Sequence, residues 1–475
     1  MDSTGGTGLS SVVSLSEDGV YAAQMNEKDL IVHLNPASSG FKEVEIVKTK
    51  ESASKFVKFS RSSASSDRVL WASDFRIVLW QLSPLQQHAE IENIEPGALN
   101  IDFGGDENEI IVFHAWNTKL TIYSLDTGRS QIIKTPKSSH YINFGYRPKT
   151  RQFAIILKPD ANDLLTIHEF RSYELMGRAV LPTVDAQGLK WSPDGRWIAI
   201  WDAASTGTKV LIYTADGQPF RTYTGRPELN DTIDLGVKNI QWSPVAPNTG
   251  ASEYLAVGKV DGTIDLLKNR TFTCSISLAH VAPADQNFFV VWREQFTNAD
   301  GDLEYTEVPG LSAPAMLSET STPQRGVSIM SFSSEGSLLT TVDQTRPNIV
   351  WVWTLGSAPG LFAALYHEHP VKQVVWHPSE TAILITTANN VTAAVHYWSP
   401  NGPPVVVRVP VSRSESGKYD VRWLSSGQDS DWRFWFGTPD DYVLGDIEDQ
   451  GVIPQFRVHY SVNSKAPTGS LGTSF

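Results

Sequence analysis

Residues 181–204 read LPTVDAQGLKWSPDGRWIAIWDAA and contain two short apolar stretches around one tight turn. Each stretch contains a tryptophan, and aromatic residues suit the half-buried pleated surface of a β-strand. Ser-Pro-Asp-Gly between them has turn chemistry, and Asp202 directly follows the second stretch. The segment predicts two antiparallel strands. Whether Trp201 and Asp202 form a site or belong to a repeated unit depends on the rest of the chain.

Similar stretches recur along the chain at a nearly constant spacing. The residues that end the first strand of each unit are Leu15, Phe59, Phe103, Tyr146, Trp191, Trp242, Phe332, Trp376 and Trp423. Successive positions are 44, 44, 43, 45, 51, 90, 44 and 47 residues apart, and from the second unit onward another marker closes the third strand 20 to 25 residues later. A period of about 40–45 residues with four short strands is typical of WD40 propellers.

We therefore predict an all-β protein, a WD40-type β-propeller that spans residues 1–461 as a single closed ring of up to nine blades. The blades are predicted to begin near residues 12, 56, 100, 142, 187, 237, 327, 372 and 419. Each blade should bury both faces against its neighbours, because no unit of this size forms a core alone. Residues 462–475 are rich in Ser, Gly and Thr and are predicted to be a disordered tail.

The 90-residue spacing between Trp242 and Phe332 marks an insertion at 281–326, between the sixth and seventh candidate blades. NFFVVWREQF and LEYTEVP on either side of a NADGD turn predict a β-hairpin that protrudes from the sixth blade, followed by a flexible loop. The turn resembles a calcium loop only superficially, because its glycine and distal glutamate are misplaced.

Composition argues against several classes of protein. The chain has 475 residues, a formal net charge of −13 and one cysteine, Cys274. One cysteine excludes an internal disulfide framework or a cysteine-cluster metal site, and the acidic balance argues against nucleic acid as a direct ligand. The N-terminus lacks the pattern of a signal peptide and no apolar run could span a membrane, so we expect an intracellular protein with no membrane partner.

No motif in the sequence indicates catalysis. GxxxxGK[ST], HExxH and GxSxG are absent, so we expect a protein that is not an enzyme and has no cofactor or metal. His367, His369 and His377 lie close together and are open to two interpretations. They could join ligands from neighbouring loops in a metal site, or one could precede a blade's first strand and bond a buried carboxylate. We favour the second interpretation.

Carboxylates and exposed aromatics are the remaining candidates. Asp261 is predicted to be a buried carboxylate in the turn between second and third strands, and Asp202 and Asp343 occupy comparable turns. The tryptophans outside the repeat's aromatic positions are Trp71, Trp116, Trp201 and Trp292. They could pack between blades or contact a partner, because Trp is common at interface hot spots. Trp201 and Asp202 are the candidates for a partner-facing edge.

Residues 173–202, YELMGRAVLPTVDAQGLKWSPDGRWIAIWD, resemble the family of WD repeat-containing protein 8, found at centrosomes and spindle poles. FGYRPKTRQFAI at 144–155, the VVWREQ strand, NIVWVW at 348–353 and YWSPNG at 397–402 agree in order. The resemblance therefore runs from about residue 99 to 410 and includes the insertion. PTVDAQG is not required by the repeat itself and makes the resemblance specific.

The resemblance implies a non-enzymatic adaptor in the cytoplasm and cytoskeleton, at the spindle pole body or centrosome. Its implied partners are a coiled-coil microtubule-anchoring protein and a minus-end-directed kinesin, with indirect contact to microtubules. The implied outcome is tethering of microtubule minus ends and control of the mitotic spindle. Two rivals remain open: a ribosome-associated propeller like translation initiation factor 2A, and a propeller hydrolase with carboxylates lining its channel.

Overall fold

The computed structural model describes residues 13–16, 21–26, 29–34, 42–48, 55–60, 68–82, 84–226, 234–280, 289–296, 303–309, 325–356, 358–389, 392–411, 419–424, 432–438, 441–448 and 455–463. These residues form nine units that are each built on four antiparallel strands, and these units are the blades of a WD40-type propeller. The described residues contain no helix long and apolar enough to cross a membrane.

The first three blades are regular four-stranded meanders. Their strands are β1 (Val13–Leu15), β2 (Tyr21–Asn26), β3 (Asp29–Leu34) and β4 (Lys42–Lys48); β5 (Phe56–Phe59), β6 (Arg68–Ala72), β7 (Arg76–Leu82) and β8 (Leu85–Glu92); and β9 (Asn100–Phe103), β10 (Glu109–Phe113), β11 (Lys119–Ser124) and β12 (Ser130–Lys134).

The fourth and fifth blades follow the same plan, and the sixth adds a two-stranded hairpin, β22–β23, between its first and second long strands. Their strands are β13 (Phe144–Tyr146), β14 (Phe153–Leu157), β15 (Leu164–His168) and β16 (Leu175–Val180); β17 (Gly188–Trp191), β18 (Trp197–Trp201), β19 (Val210–Thr214) and β20 (Pro219–Tyr223); and β21 (Val237–Trp242), β22 (Val245–Ala246), β23 (Ala251–Ser252), β24 (Tyr254–Lys259), β25 (Thr263–Lys268) and β26 (Cys274–Ala279).

The last three blades include the inserted strands β27 and β28. Their strands are β27 (Val290–Phe296), β28 (Leu303–Glu307), β29 (Val327–Phe332), β30 (Leu338–Asp343), β31 (Ile349–Thr354) and β32 (Gly360–Tyr366); β33 (Val371–Trp376), β34 (Ile383–Thr387), β35 (Ala394–Trp398) and β36 (Val405–Arg408); and β37 (Asp420–Trp423), β38 (Phe434–Gly437), β39 (Asp441–Glu448) and β40 (Gln455–Asn463). Short 3-10 turns lie at Ala115–Asn117, Tyr141–Asn143 and Ala204–Thr206.

The repeat read from the sequence matches these blades closely. Each of the nine residues that mark the first strand is the last residue of that strand, from Leu15 in β1 to Trp423 in β37. Each blade begins within two residues of its expected start. Strand β40 reaches Asn463, two residues beyond the expected end of the repeats. Residues 464–475 of the expected tail lie outside the described residues.

The core consists of apolar layers between neighbouring blades. Eight buried clusters join eight consecutive pairs of blades among the described residues, and each draws its side chains from both blades of its pair. This confirms that the second to eighth blades are buried on both faces, and the first and ninth on one face. Closure of the ring between the ninth and the first blade stays a prediction.

The first-strand tryptophans also hold adjacent blades together through their indole N–H groups. Trp191 donates to the carbonyl of Gly145 at 3.1 Å, and Trp242 donates to that of Lys190 at 3.1 Å. Trp376 and Trp423 make equivalent bonds to the preceding blade, at 3.0 and 3.1 Å. A buried indole N–H needs an acceptor, which explains why this apolar position so often holds tryptophan.

The Ser-Pro-Asp-Gly turn after Trp191 is part of the scaffold. The Ser192 hydroxyl accepts hydrogen bonds from the backbone N–H groups of Arg196 and Trp197, at 3.1 and 3.0 Å. Gly195 has a φ of +72°, a conformation that glycine adopts at little cost. Together these contacts fix the tight connection between β17 and β18.

The inserted hairpin belongs to the seventh blade, which corrects the expected attachment to the sixth. Strand β27 pairs with β28 as an antiparallel hairpin, as expected. It also pairs in parallel with β32, from Val290 opposite Ala363 to Arg293 opposite Tyr366. The seventh blade thus becomes a six-stranded sheet, and β28 lies against β36 of the eighth blade. An unpaired outer strand offers backbone donors and acceptors to any added strand. Residues 281–288, 297–302 and 310–324 of the insertion lie outside the described residues.

Candidate functional site

Trp201 and Asp202, the residues expected at a partner-facing edge, lie inside the fold. The Trp201 side chain is 2% exposed and packs between the fifth and sixth blades. The Asp202 carboxylate is fully buried and accepts backbone hydrogen bonds from Val184, Asp185 and Ala203 at 2.9–3.1 Å. Burial alone would raise the pKa of Asp202, but these bonds and Lys209 lower it below its usual value. Asp202 therefore connects the loop before the fifth blade to that blade, and Trp201 fills the layer between the fifth and sixth blades.

Two further candidate tryptophans also pack within the fold, one fully and one partly buried. Trp71 is 2% exposed and lies in the core between the first two blades. Trp292, on the inserted strand, is half-buried and packs against the core between the seventh and eighth blades. Neither offers an open aromatic surface comparable to that of Trp116.

Of the five candidate residues, Trp116 is the one whose side chain is almost fully exposed. It is 92% exposed and lies in the turn between β10 and β11. Its φ of +59° and ψ of +18° place it in the left-handed region, which is uncommon for a bulky residue and costs about 1–3 kcal/mol. Strain of this kind persists only where the surrounding structure enforces it.

Contacts on both sides hold this turn in place. Backbone N–H groups of Asn117 and Thr118 donate to the carbonyls of His114 and Ala115, at 3.2 and 3.3 Å. Beneath the turn, the His114 ring lies 2.8 Å from the Thr121 hydroxyl and 3.2 Å from the Glu95 carboxylate. The ring of Trp116 is thus held outward by a turn anchored to the connection between the second and third blades.

Two more exposed apolar side chains lie on the same loop-bearing face. Phe75, in the turn between β6 and β7, is 61% exposed, and its carbonyl accepts the N–H of Ile94. Leu99, just before β9, is 46% exposed. We call Phe75, Leu99 and Trp116 the Trp116 surface. In propellers the turns between second and third strands share one face with the connections between blades, so these three residues lie on the same face.

Charged pairs border the Trp116 surface. Lys55 donates to Asp74 and Lys119 donates to Glu95, both at 2.5 Å. The Asp74 carboxylate also accepts the N–H of Gly97 at 3.4 Å. Apolar and aromatic groups within a charged rim are the usual composition of a protein interface.

A second cluster of chemistry-bearing residues lies where the inserted hairpin meets the seventh and eighth blades. Glu294 is on β27, His367 directly follows β32, and His396 is on β35. All three are buried, and one ligand atom from each lies within 4.8 Å of the others. Tyr305 of β28, paired in register with Glu294, places its hydroxyl 2.6 Å from Nδ1 of His367 and 3.0 Å from Nδ1 of His396. We call these four residues the hairpin cluster.

The environment holds both imidazoles of the hairpin cluster neutral. Burial lowers the pKa of His367 well below its usual value, and burial together with nearby His369 lowers that of His396 to about 3. Burial raises the pKa of Glu294 to about 7. The N–H of Glu368 donates to one Glu294 oxygen at 2.7 Å, while the other oxygen has no hydrogen-bond partner. Neutral imidazole is the form that can bind a metal.

His280, which the sequence analysis did not single out, lies near the buried carboxylate of Asp343. Its Nε2 lies 2.8 Å from the Thr341 hydroxyl, which accepts the indole N–H of Trp353 at 2.8 Å, and Asp343 is a charged neighbour of the ring. The insertion separates His280 from the first strand of its blade, so local spacing did not reveal it. His377 instead accepts backbone N–H groups in the turn after β33.

Asp261 is not the buried carboxylate of the sixth blade. It lies at the exposed turn and accepts hydrogen bonds from Thr263. Asp265, on the adjoining strand, is fully buried and accepts the hydroxyl of Tyr223 at 2.9 Å. Asp343 is buried, as expected for its turn.

The chain is similar to known WD-repeat proteins along most of its length. It is 26% identical over 357 residues to WD repeat-containing protein WRAP73 of Mus musculus, covering 70% of this chain and 73% of that one. It is 24% identical over 338 residues to an uncharacterised WD repeat-containing protein of Schizosaccharomyces pombe, covering 67% and 65%. No family model matches the chain.

Among solved structures, the fold resembles that of a eukaryotic initiation factor with a TM-score of 0.53. The sequence identity is 9%, and the match covers 83% of this chain and 87% of the other. The C-terminal WD40 domain of Sif2 is similar at a TM-score of 0.45 and 10% identity, covering 80% and 94%. The similarity to the initiation factor supports the propeller fold.

Proposed function

We propose that this chain, a WD40 propeller similar to WD repeat-containing proteins, is a non-enzymatic scaffold that holds protein partners on its loop-bearing face. WD40 propellers in general mediate interactions between proteins. The observation that carries the proposal is Trp116, a fully exposed ring held outward in a strained backbone conformation. Exposed tryptophans of this kind are frequent hot spots of interfaces.

We further propose that the scaffold acts at the spindle pole body or centrosome. The resemblance over residues 99–410 supports this location, with a coiled-coil microtubule-anchoring protein and a minus-end-directed kinesin as partners. An acidic chain of net charge −13 is unsuited to direct binding of the acidic microtubule surface. Binding both partners on one ring would raise their effective concentration for each other and so tether microtubule minus ends.

Affinity purification from dividing cells tests both levels of the proposal. The wild-type chain should recover spindle-pole or microtubule-anchoring proteins, and Trp116→Ala should reduce their recovery at least tenfold. Leu175→Ala is the matched control, because Leu175 is 55% exposed on the outer strand β16, away from the Trp116 surface.

The outcomes separate the alternatives. If the wild-type chain recovers proteins unrelated to the spindle pole and Trp116→Ala does not, the scaffold role would be supported and the spindle-pole location would be contradicted. Recovery of ribosomal proteins instead would favour the initiation-factor alternative. Equal recovery by the wild-type chain and Trp116→Ala would remove the Trp116 surface from the proposal.

A further inference from the structure

The hairpin cluster leaves a carboxylate oxygen buried without a hydrogen-bond partner. This atom is Oε1 of Glu294. Burying a polar atom without a hydrogen-bond partner costs free energy. Such an atom in a native structure calls for an explanation such as a bound ion. Glu294 and His396 are also close without a hydrogen bond, since Nδ1 and the carboxylate oxygen are 3.7 Å apart.

The donor set fits a divalent metal of borderline softness. Two imidazole nitrogens and one carboxylate oxygen are a zinc-binding set known from catalytic sites, where water is the fourth ligand. Here the Tyr305 hydroxyl supplies the fourth atom in place of water. Tetrahedral zinc with bonds of about 2.0–2.2 Å places its ligand atoms roughly 3.3–3.6 Å apart. Shifts on the order of 1 Å would bring the four atoms to that spacing.

Charge balance supports the same set. A buried ion is costly unless its charge is compensated. Zn²⁺ with two neutral imidazoles, one carboxylate and one phenolate has no net charge. The protons displaced from the phenol and from any protonated carboxyl would leave to solvent, so binding consumes no co-reactant.

The position of the cluster indicates a structural role. Its residues come from both strands of the inserted hairpin, from the end of β32 and from the eighth blade. Glu294, His367 and His396 are buried and Tyr305 is partly buried. With Tyr305 as the fourth ligand the set is closed, as in structural zinc sites, and lacks the open position of catalytic sites. We propose that Glu294, Tyr305, His367 and His396 form a structural zinc site that ties the inserted hairpin to the seventh and eighth blades.

The full-length, untagged protein tests the site directly. After chelation and dialysis, one equivalent of Zn²⁺ should bind with a Kd below about 1 μM, and Co²⁺ should give the visible absorption of a tetrahedral site. Adding Zn²⁺ should raise the Tm and slow proteolysis between residues 289 and 309. Absence of binding at micromolar Zn²⁺ in the folded chain would overturn the proposal and leave a hydrogen-bonded polar cluster.

Two variants of the hairpin cluster and one control variant test which residues bind the zinc. His367→Ala should abolish stoichiometric binding. Tyr305→Phe, which retains the ring, should weaken binding 10- to 100-fold without unfolding the chain. His369→Ala removes a half-buried histidine two positions from His367 and should retain binding. Equal zinc binding by Tyr305→Phe would remove the phenol from the ligand set, and equal binding by His367→Ala would overturn the site.

Discussion

At the scale of single residues, the same amino acid type performs opposite tasks. Trp201, the last residue of β18, is buried between blades, whereas Trp116, in the turn that follows β10, is 92% exposed. Asp202 is buried and accepts several backbone N–H groups, whereas Asp261 in an equivalent turn lies at the surface. The loop before the fifth blade covers the Asp202 carboxylate, whereas the Asp261 carboxylate is exposed. Substitutions at the two positions should therefore have different effects on stability.

Asp202→Asn should lower the free energy of unfolding by about 2–4 kcal/mol, because it removes the charge that compensates buried donors. Asp261→Asn, at the exposed turn, should change it by less than about 0.5 kcal/mol. Urea denaturation at pH 7 measures both values. Equal effects would show that the Asp202 bonds contribute nothing specific.

The Asp202 effect should also depend on pH with a defined sign. The pKa of Asp202 is lower in the folded chain than its usual 3.8, so its stabilisation is fully present above that value. It is lost as the pH falls through the folded pKa. The difference in unfolding free energy between wild type and Asp202→Asn should therefore be constant from pH 7 to pH 5 and shrink below pH 4. A difference that grows on acidification would contradict the assignment.

Trp116→Gly should leave the free energy of unfolding unchanged or raise it by up to about 1 kcal/mol, because glycine relieves the left-handed strain. The same substitution should reduce partner recovery as strongly as Trp116→Ala. Urea denaturation and affinity purification provide the two readouts. Destabilisation by more than about 1 kcal/mol would mean that the exposed ring supports the fold rather than an interface.

At the scale of elements, the strand-ending tryptophan is a repeated device that joins one blade to the next. Its ring fills the layer between blades, and its indole N–H reaches a first-strand carbonyl of the preceding blade. The contribution of the hydrogen bond to stability can be measured separately from that of ring packing. Trp435 provides the comparison, because it is buried with an unpaired indole N–H.

Trp242→Phe should therefore cost about 1–2 kcal/mol more than Trp435→Phe, since only the former breaks a hydrogen bond between blades. Both substitutions remove similar volume from a core. Thermal and urea unfolding of the two variants give the comparison. Equal losses would assign the stabilisation to ring packing alone.

At the scale of the whole molecule, stability depends on contacts between neighbours, as in other repeat proteins. The ninth blade covers an apolar face of the eighth that includes Leu384, Val395 and Val407. A chain ending at residue 411 should expose this face, bind a hydrophobic dye and associate in size-exclusion chromatography. A monomeric truncated chain with an unchanged Tm would show that the ninth blade is dispensable.

Because the inserted hairpin pairs with the seventh blade, deleting it would not separate a role in partner binding from a role in the fold. Deleting residues 283–325 would remove Val291, a 2% exposed core residue, together with the strand paired to β32. Loss of partner binding after such a deletion would report damage to the seventh blade. Single substitutions that keep the hairpin in place are the informative variants.

The sequence alone predicted up to nine candidate blades and the residue that ends each first strand, because every blade needs a strand-ending apolar residue and a turn at a nearly fixed spacing. It also identified the insertion as a hairpin. The strand markers were correct even in the first and last units, whose resemblance to known proteins is weakest. Local chemistry, repeated nine times, was enough for this part of the fold.

The tertiary structure alone decided which blade receives the hairpin, which tryptophan is exposed and which histidines meet. Backbone groups at a sheet edge accept any added strand, so the residues of β27 do not specify β32 as their partner. Glu294, His367 and His396 are distant in sequence and converge only because the hairpin crosses from the seventh blade to the eighth. A pattern of buried and exposed positions specifies which side of a strand is covered, but it does not specify which element covers it.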